Sequence, residues 1–280
     1  ATFPPVDTQD SAATAAYIGQ IQARMFPGAD SAWVRGVFGD VIDLFEGRNP
    51  DYSRIDLHYH DLDHTLQATV CIALLLEGRH VAEVVPRISL REFELAVVAA
   101  LLHDSGYLKL RSDRSGTGAK YTYCHVLRSC AFAATYLPTR GVNDLEIEVV
   151  LGAISCTGPN REISQMQFRD PVGRVIGNAL ATADFLGQMS DPAYPDKLPA
   201  LFLEFQEADE FFHLPAERRT FKSAADLALR TPAFWDNFVR RKLEIECQAL
   251  YRFLAAPYPH GRNVYLEAVE SNVAEIRRRS

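Results

Sequence analysis

Apolar side chains recur every three or four residues along most of this chain, the spacing that places them on one face of an α-helix. The sequence contains no alternating apolar and polar run long enough to indicate a β-sheet. The pattern predicts helices at 11–26, 32–46, 62–79, 90–104, 121–137, 144–157, 171–189, 197–212, 232–255 and 263–279. We therefore expect an all-α fold.

Polar residues that favour helix starts stand at several predicted boundaries. Ser89 and Asn143 are each followed three residues later by a glutamate, which is the spacing of a capping box. Thr231 precedes Pro232, and a capping residue followed by proline is typical of a helix N-terminus. We therefore expect one helix to begin at Pro232.

Three segments between the predicted helices are expected to form loops, at 47–58, 105–120 and 158–170. The second follows directly on a His–Asp pair and is longer than most loops of compact domains. It is therefore a candidate lid or substrate loop.

Three prolines between residues 190 and 199 suggest a boundary within the chain. The expected division is a set of N-terminal helices that pack on a core, the core itself, and a C-terminal helical extension, at 1–54, 55–190 and 191–280. The alternative is one continuous domain, which a length of 280 residues also allows.

Composition and charge restrict the partners of this protein. Apolar residues make up 48% and charged residues 23% of the chain, which is ordinary for a globular protein. The formal net charge of −7 argues against a nucleic acid duplex or an anionic membrane surface as a partner. Apolar runs such as 96–102 are far shorter than the ~20 residues that cross a bilayer, so we expect no membrane partner.

The chain carries five cysteines with no C-x-x-C spacing, which favours reduced thiols over a disulfide framework. Residues 1–10 show no basic segment followed by an apolar one, so we expect no signal peptide and a cytoplasmic location. The sequence leaves open whether the protein is a monomer or a homodimer.

Three short segments carry the candidate chemistry. His60 and His64 are four residues apart on one predicted helix and therefore share a face. His103 and Asp104 end a strongly apolar run. Asp184 lies in a helix of small and apolar residues, where a carboxylate is costly unless it is paired or bound to a metal.

Each of these residues also has a structural explanation. A single histidine at a helix end is more often hydrogen-bonded than a ligand, and Asp184 alone could be a buried ion-pair partner. The ordered combination nevertheless favours a metal centre, because imidazoles and carboxylates suit a divalent cation that also holds water or a phosphate oxygen.

Four basic residues cluster in and near the second predicted loop: Lys109, Arg111, Arg114 and Lys120. They either steer a phosphate towards the metal centre or form a solvated charged loop. The sequence alone does not favour one interpretation over the other.

The three segments resemble the motifs of the HD-domain superfamily of metal-dependent phosphohydrolases. YHDLDHT at 59–65 is similar to the Y-H-N-x-x-H-[AT] segment of cyclic-nucleotide phosphodiesterases and their bacterial relatives. AALLHDSGY at 99–107 resembles the A-A-L-x-H-D-x-G-[YF] motif of the bacterial branch, and ADFLG at 183–187 resembles its D-A-D-L-x-x-L-G segment. The resemblance covers roughly residues 55–190.

The resemblance implies an HD-domain-like multi-helix bundle with additional C-terminal helices. It further implies that His64, His103, Asp104 and Asp184 bind a divalent ion (Zn, Mn, Mg or Fe), with one or two ions per chain. Asp104 would bridge to the second ion, and His60 would act as a general acid that protonates the leaving oxygen. His60 and Asp104 are therefore the expected catalytic residues.

The implied activity is hydrolysis of a small-molecule phosphomonoester or phosphodiester, such as a nucleotide, by attack of a metal-bound water. Two alternatives remain: an HD-type di-iron oxygenase, and a non-catalytic metal-containing module that binds a nucleotide.

The chain departs from the family pattern at several positions. Tyr107 stands where phosphodiesterases usually carry a further histidine, and Asp61 stands where asparagine is usual. Both a mononuclear site and an incomplete second site are therefore open. His125 is the best candidate for a ligand of a second ion, and Cys156 lies where some relatives carry another histidine.

Overall fold

A computed structural model of the chain describes residues 3–158 and 161–280, and over these ranges it is helical without a β-strand. The α-helices of the described residues are α1 (Ser11–Met25), α2 (Ala32–Phe45), α3 (Leu62–Val81), α4 (Leu90–Leu102), α5 (His125–Tyr136), α6 (Asp144–Ser155), α7 (Pro171–Ser190), α8 (Tyr194–Phe211), α9 (Ala224–Phe234) and α10 (Val264–Arg279). The predicted all-α class is confirmed.

Both predicted capping boxes are present. The side chain of Ser89 accepts from the backbone N–H of Glu92, whose carboxylate accepts from the backbone N–H of Ser89. Asn143 and Glu146 form the same reciprocal pair at the start of α6. These caps fix the starts of α4 and α6 where the sequence predicts them.

The predicted helix start at Pro232 is wrong. The helix begins eight residues earlier, because the side chain of Ser223 accepts from the backbone N–H of Asp226 and caps α9 there. Pro232 lies inside α9, and the hydroxyl of Thr231 donates to the carbonyl of Leu227. The chain then continues through two π-helical segments, Trp235–Val239 and Lys242–Glu246, and a 3₁₀ turn at Leu250–Leu254.

Two further helices differ from their predicted bounds. The helix predicted at 121–137 begins at His125, because residues 118–121 form a separate 3₁₀ turn. The helix predicted at 197–212 begins at Tyr194 and accommodates Pro195 in its first turn, where its missing N–H costs nothing.

The predicted loops contain short ordered turns. The segment 105–120 includes a 3₁₀ turn at Ser105–Tyr107 and the beginning of the turn at 118–121, and Leu110 forms an isolated β-bridge with Tyr52 in the first loop. In the segment 158–170, residues 159 and 160 lie outside the described part of the chain, and residues 163–165 form a 3₁₀ turn.

Helices α3 and α7 lie antiparallel at the centre of the molecule. A Cβ on Gly187 would lie 3.0 Å from the backbone nitrogen of Ala68, so glycine permits the close approach of the two helices. One apolar core joins residues from α1 to α10, including Ile18, Leu180 and Ile276. None of the described helices combines the length and the apolar character needed to span a membrane.

Candidate metal centre

His64 stands in the first turn of α3 and is held there by its own helix cap. The carboxylate of Asp61 accepts from the backbone N–H of His64 at 2.9 Å. The imidazole Nε2 of His64 lies 3.1 Å from Oδ2 of Asp104 and 3.4 Å from Oδ1 of Asp184. Three of the sequence-predicted ligands thus meet although they come from three separate segments.

His103 and Asp104 follow the buried α4 directly. Nδ1 of His103 lies 2.7 Å from the carbonyl oxygen of Ala100 and must donate to it, which leaves Nε2 as the acceptor nitrogen. That Nε2 lies 3.3 Å from Oδ2 of Asp104 and 3.6 Å from Oδ1 of Asp184. The structure therefore brings all four sequence-predicted ligands together.

Two atoms of this cluster are buried without a hydrogen-bond partner among the described residues, Nε2 of His103 and Oδ2 of Asp104. Buried polar atoms normally have a hydrogen-bond partner. Atoms that lack one call for an explanation, and a bound ion is such an explanation. One nitrogen or oxygen from each of His64, His103 and Asp184 lies within 4.8 Å of the others. The cluster has the donor types and the spacing that a divalent cation requires.

Charge in the cluster is balanced. Burial lowers the pKa of His64, but the nearby carboxylates of Asp104 and Asp184 outweigh it and raise that pKa to about 10. Burial raises the pKa of each carboxyl, and the two imidazoles outweigh it, so that the pKa of Asp104 and that of Asp184 lie well below the usual range. Without a metal, these side chains neutralise one another as ion pairs.

His60 precedes α3, which begins at Leu62, so the prediction that His60 and His64 share one helix is wrong. His60 nevertheless lies beside the cluster and has a buried partner of its own. Its Nδ1 lies 2.5 Å from Oε2 of Glu204 in α8. Oε1 of Glu204 accepts from the backbone N–H of Tyr59 at 2.8 Å and from that of His60 at 3.4 Å. Because Nδ1 is engaged with the carboxylate, Nε2 is the nitrogen of His60 that remains for chemistry.

Sequence reasoning missed Glu204. The residue stands between Leu203 and Phe205 in an amphipathic stretch, where an acid usually lies on the solvated face. Its side chain is instead 6% exposed. No local signal in the sequence pairs it with His60.

Tyr107 packs against two histidines whose own ring centroids lie 6.3 Å apart. Its ring stacks on His60 with centroids 4.6 Å apart and on His125 with centroids 4.5 Å apart. Burial raises the pKa of Tyr107 well above its usual value, and the charges of Asp104 and Glu204 add to this effect. Its hydroxyl is buried near the side chain of Thr122 and makes no hydrogen bond of good geometry in the described ranges.

His125 lies close to Asp104 and to His60, with its ring centroid 6.3 Å from that of His60. Its Nδ1 lies 2.7 Å from the carbonyl oxygen of Thr122, and its Nε2 lies 3.6 Å from Oδ1 of Asp104. Burial lowers the pKa of His125, which favours the neutral imidazole that a metal binds. Cys156, by contrast, directs its thiol to the carbonyl of Gly152.

Three of the basic residues of the 105–120 loop hold that loop in place. Lys109 pairs with Asp56, and Lys120 pairs with Asp113 at 2.6 Å. Arg111 donates to backbone carbonyls of the preceding loop. These three cations are therefore engaged in loop structure.

The chain matches none of the curated proteins with which it was compared. A family model described as Npun_R2479-like matches residues 112–275, which is more than half of the chain. The matched range contains Asp184 and Glu204, whereas His64, His103 and Asp104 precede it. The chain belongs to the Npun_R2479-like family.

Proposed function

We propose that this protein is a metal-dependent hydrolase of a small-molecule phosphate ester. The observation that carries the proposal is the position of the His60–Glu204 pair beside the cluster of His64, His103, Asp104 and Asp184. Hydrolysis of a phosphate ester needs charge stabilisation at phosphorus and a proton for the leaving oxygen. The metal-binding cluster would provide the charge stabilisation, and His60 would provide the proton.

The cluster fits a divalent ion. Nε2 of His103 and Oδ2 of Asp104 are buried without a partner in the described part of the chain, and binding an ion would satisfy both. His64 and Asp184 would complete a set of two imidazoles and two carboxylates, which suits Zn, Mn, Mg or Fe. A bound ion would polarise the phosphoryl group and activate water as the nucleophile.

His60 is the residue proposed to protonate the leaving oxygen. Glu204 holds Nδ1 of His60 and thereby fixes the orientation of the ring and the nitrogen that carries the transferable proton. Asp104 contributes as a ligand to the ion and through its negative charge close to the imidazoles. The motifs at 59–65 and 99–107 make nucleotides the first class of phosphate ester to test.

The first test is elemental analysis of the untreated protein, followed by a hydrolysis screen over cyclic nucleotides, nucleoside monophosphates and dinucleotides. We expect Asp104→Ala to lose both metal and activity. Asp191→Ala is the matched control, because Asp191 also follows the end of a helix, in this case α7, but pairs with Lys197. Retention of metal and activity by Asp104→Ala would overturn the proposal. Bound metal without turnover of any ester would favour the non-catalytic nucleotide-binding module.

A second candidate is an HD-type di-iron oxygenase, and one observation favours it. Oδ2 of Asp104 lies 3.1 Å from His64 and its Oδ1 lies 3.6 Å from His125, so its two oxygens could each serve a different ion. This candidate requires about two irons per chain, and His125→Ala should lower the iron content to one. A single Zn, Mn or Mg per chain removes it.

A further inference from the structure

A cavity of about 590 Å³ lies at the end of the molecule away from the metal centre. Its walls come from the end of α3, from the loop residues 84–86, from the start of α7 and from residues 248–253. The lining combines apolar side chains with three arginines, Arg79, Arg169 and Arg174.

Arg79 is a buried cation without a counter-ion. The residue is 3% exposed, and its Nη1 donates to the carbonyl oxygen of Pro86 at 2.6 Å. Burial alone lowers the pKa of Arg79, and no carboxylate among the described residues opposes that effect. Its remaining guanidinium donors have no partner among the described residues and reach the cavity, where an anion would pair with the charge.

The two other arginines add positive charge to the same cavity. Arg174 lies over the ring of Phe168 at 4.8 Å from its centroid, and within the described ranges neither Arg169 nor Arg174 forms an ion pair. Asp170 also lines the cavity, but its Oδ1 accepts from the backbone N–H of Gly173 at 2.8 Å and caps α7. Three cations thus face one engaged carboxylate in a chain whose net charge is −7.

The arginines supply the positive charge of this cavity, because Asp170 already caps the N-terminus of α7. Guanidinium groups match the oxygens of a phosphate with planar pairs of donors. Leu250 and Phe253 also line the cavity and provide apolar surface for the rest of a ligand.

We propose that this cavity is a binding site for a small molecule that carries a phosphate or pyrophosphate group, held by Arg79, Arg169 and Arg174. The site is separate from the metal centre. Arg79 follows His64 by 15 residues in α3, and Arg174 precedes Asp184 by 10 residues in α7. At ~1.5 Å per residue, these separations correspond to roughly 22 and 15 Å along the helices.

Isothermal titration of the chelator-treated protein with inorganic pyrophosphate tests the proposal, because the treatment removes metal from the other centre. We expect saturable binding of one pyrophosphate per chain. The double variant Arg169→Gln/Arg174→Gln should weaken this binding at least tenfold. Both side chains lie at the surface of the cavity, so the variant should fold.

Two controls locate the pyrophosphate. Arg87→Gln removes an exposed arginine that pairs with Glu83 outside the cavity, and Asp104→Ala changes the metal centre. Neither should alter the affinity. Arg79→Met should abolish binding while the protein remains folded. The proposal is overturned if pyrophosphate does not bind, if the double variant binds as tightly as the wild type, or if Asp104→Ala abolishes binding.

Discussion

Nδ1 of His60 lies 2.5 Å from Oε2 of Glu204, although 144 residues separate the two along the chain. The other carboxylate oxygen of Glu204 accepts from two successive backbone N–H groups immediately before α3. Helix α8 thus fixes both the ring of His60 and the backbone that carries it.

Glu204→Gln tests whether this contact positions a general acid. We expect kcat to fall on the order of 10²-fold for esters with poor leaving groups and little for a p-nitrophenyl ester, because a good leaving group needs no proton. The measurement is kcat against leaving-group pKa for wild type and variant.

Glu207→Gln is the control for this variant. Glu207 lies on the same helix, but its carboxylate accepts from Thr117 and not from His60. It should leave the dependence on leaving-group pKa unchanged. An equal loss of kcat for all leaving groups in Glu204→Gln would show that Glu204 acts only on structure.

The pH dependence of stability should reveal the ion pairs of the metal-free cluster. The pKa of His64 is raised from 6.5 to about 10 in the folded protein. The stability that its protonated form contributes is therefore fully present below pH 6.5 and is lost as the pH rises through 10. Urea denaturation of chelator-treated protein should show the free energy of unfolding falling across this range.

His64→Gln should flatten that dependence, because it removes the titrating imidazole. The lowered pKa values of Asp104 and Asp184 act in the opposite direction, and their contribution is lost only as the pH falls below the usual range of a carboxyl. If the free energy of unfolding of the metal-free wild-type protein stays constant or rises with pH above 6.5, the ion pairs of His64 described above are contradicted.

Tyr107→Phe should not destabilise the protein. The hydroxyl of Tyr107 is buried without a hydrogen bond of good geometry in the described part of the chain, and such a group costs about 1–3 kcal/mol. The variant keeps both ring stacks and should be as stable as the wild type or up to ~1 kcal/mol more stable. Chemical denaturation measures the difference.

Tyr59→Phe is the contrasting variant. The hydroxyl of Tyr59 donates to Oε1 of Gln188 at 2.7 Å, so its removal should cost about 1 kcal/mol. If both variants lose the same stability, the hydroxyl of Tyr107 has a partner that the described contacts do not include.

Gly106→Ala should destabilise the protein by about 1–3 kcal/mol or more, because the added methyl has no room. A Cβ at Gly106 would lie 2.0 Å from the backbone carbonyl oxygen of His125. The shift it forces should also reduce metal content, since Asp104 is two residues away. Thermal unfolding and elemental analysis measure the two effects.

Gly39→Ala serves as its control. Gly39 is an exposed residue of α2, and nothing lies within 4 Å of a Cβ built there. The substitution should stabilise the protein by roughly 0.5–1 kcal/mol, because alanine favours a helix over glycine. Equal changes in stability for Gly39→Ala and Gly106→Ala would argue against the close contact at Gly106.

The helices and their caps could be predicted from the sequence because their signals are local. Apolar spacing identified the all-α class, and the capping boxes at Ser89 and Asn143 depend on residues three positions apart. The prediction of the start of α9 was wrong for a related reason. Thr231–Pro232 has a local capping signal, but Ser223 caps the helix earlier and the helix continues through Pro232.

The sequence by itself determined the helical pattern and named four candidate ligands. Tertiary structure alone decided that these four meet, that Glu204 holds His60, and that Tyr107 packs against both His60 and His125. It also decided that Arg79, which has no counter-ion among the described residues, lines a cavity. The physical reason is distance along the chain. Periodicity and caps depend on neighbours within a few residues, whereas the partner of a buried charge is set by which helices pack together.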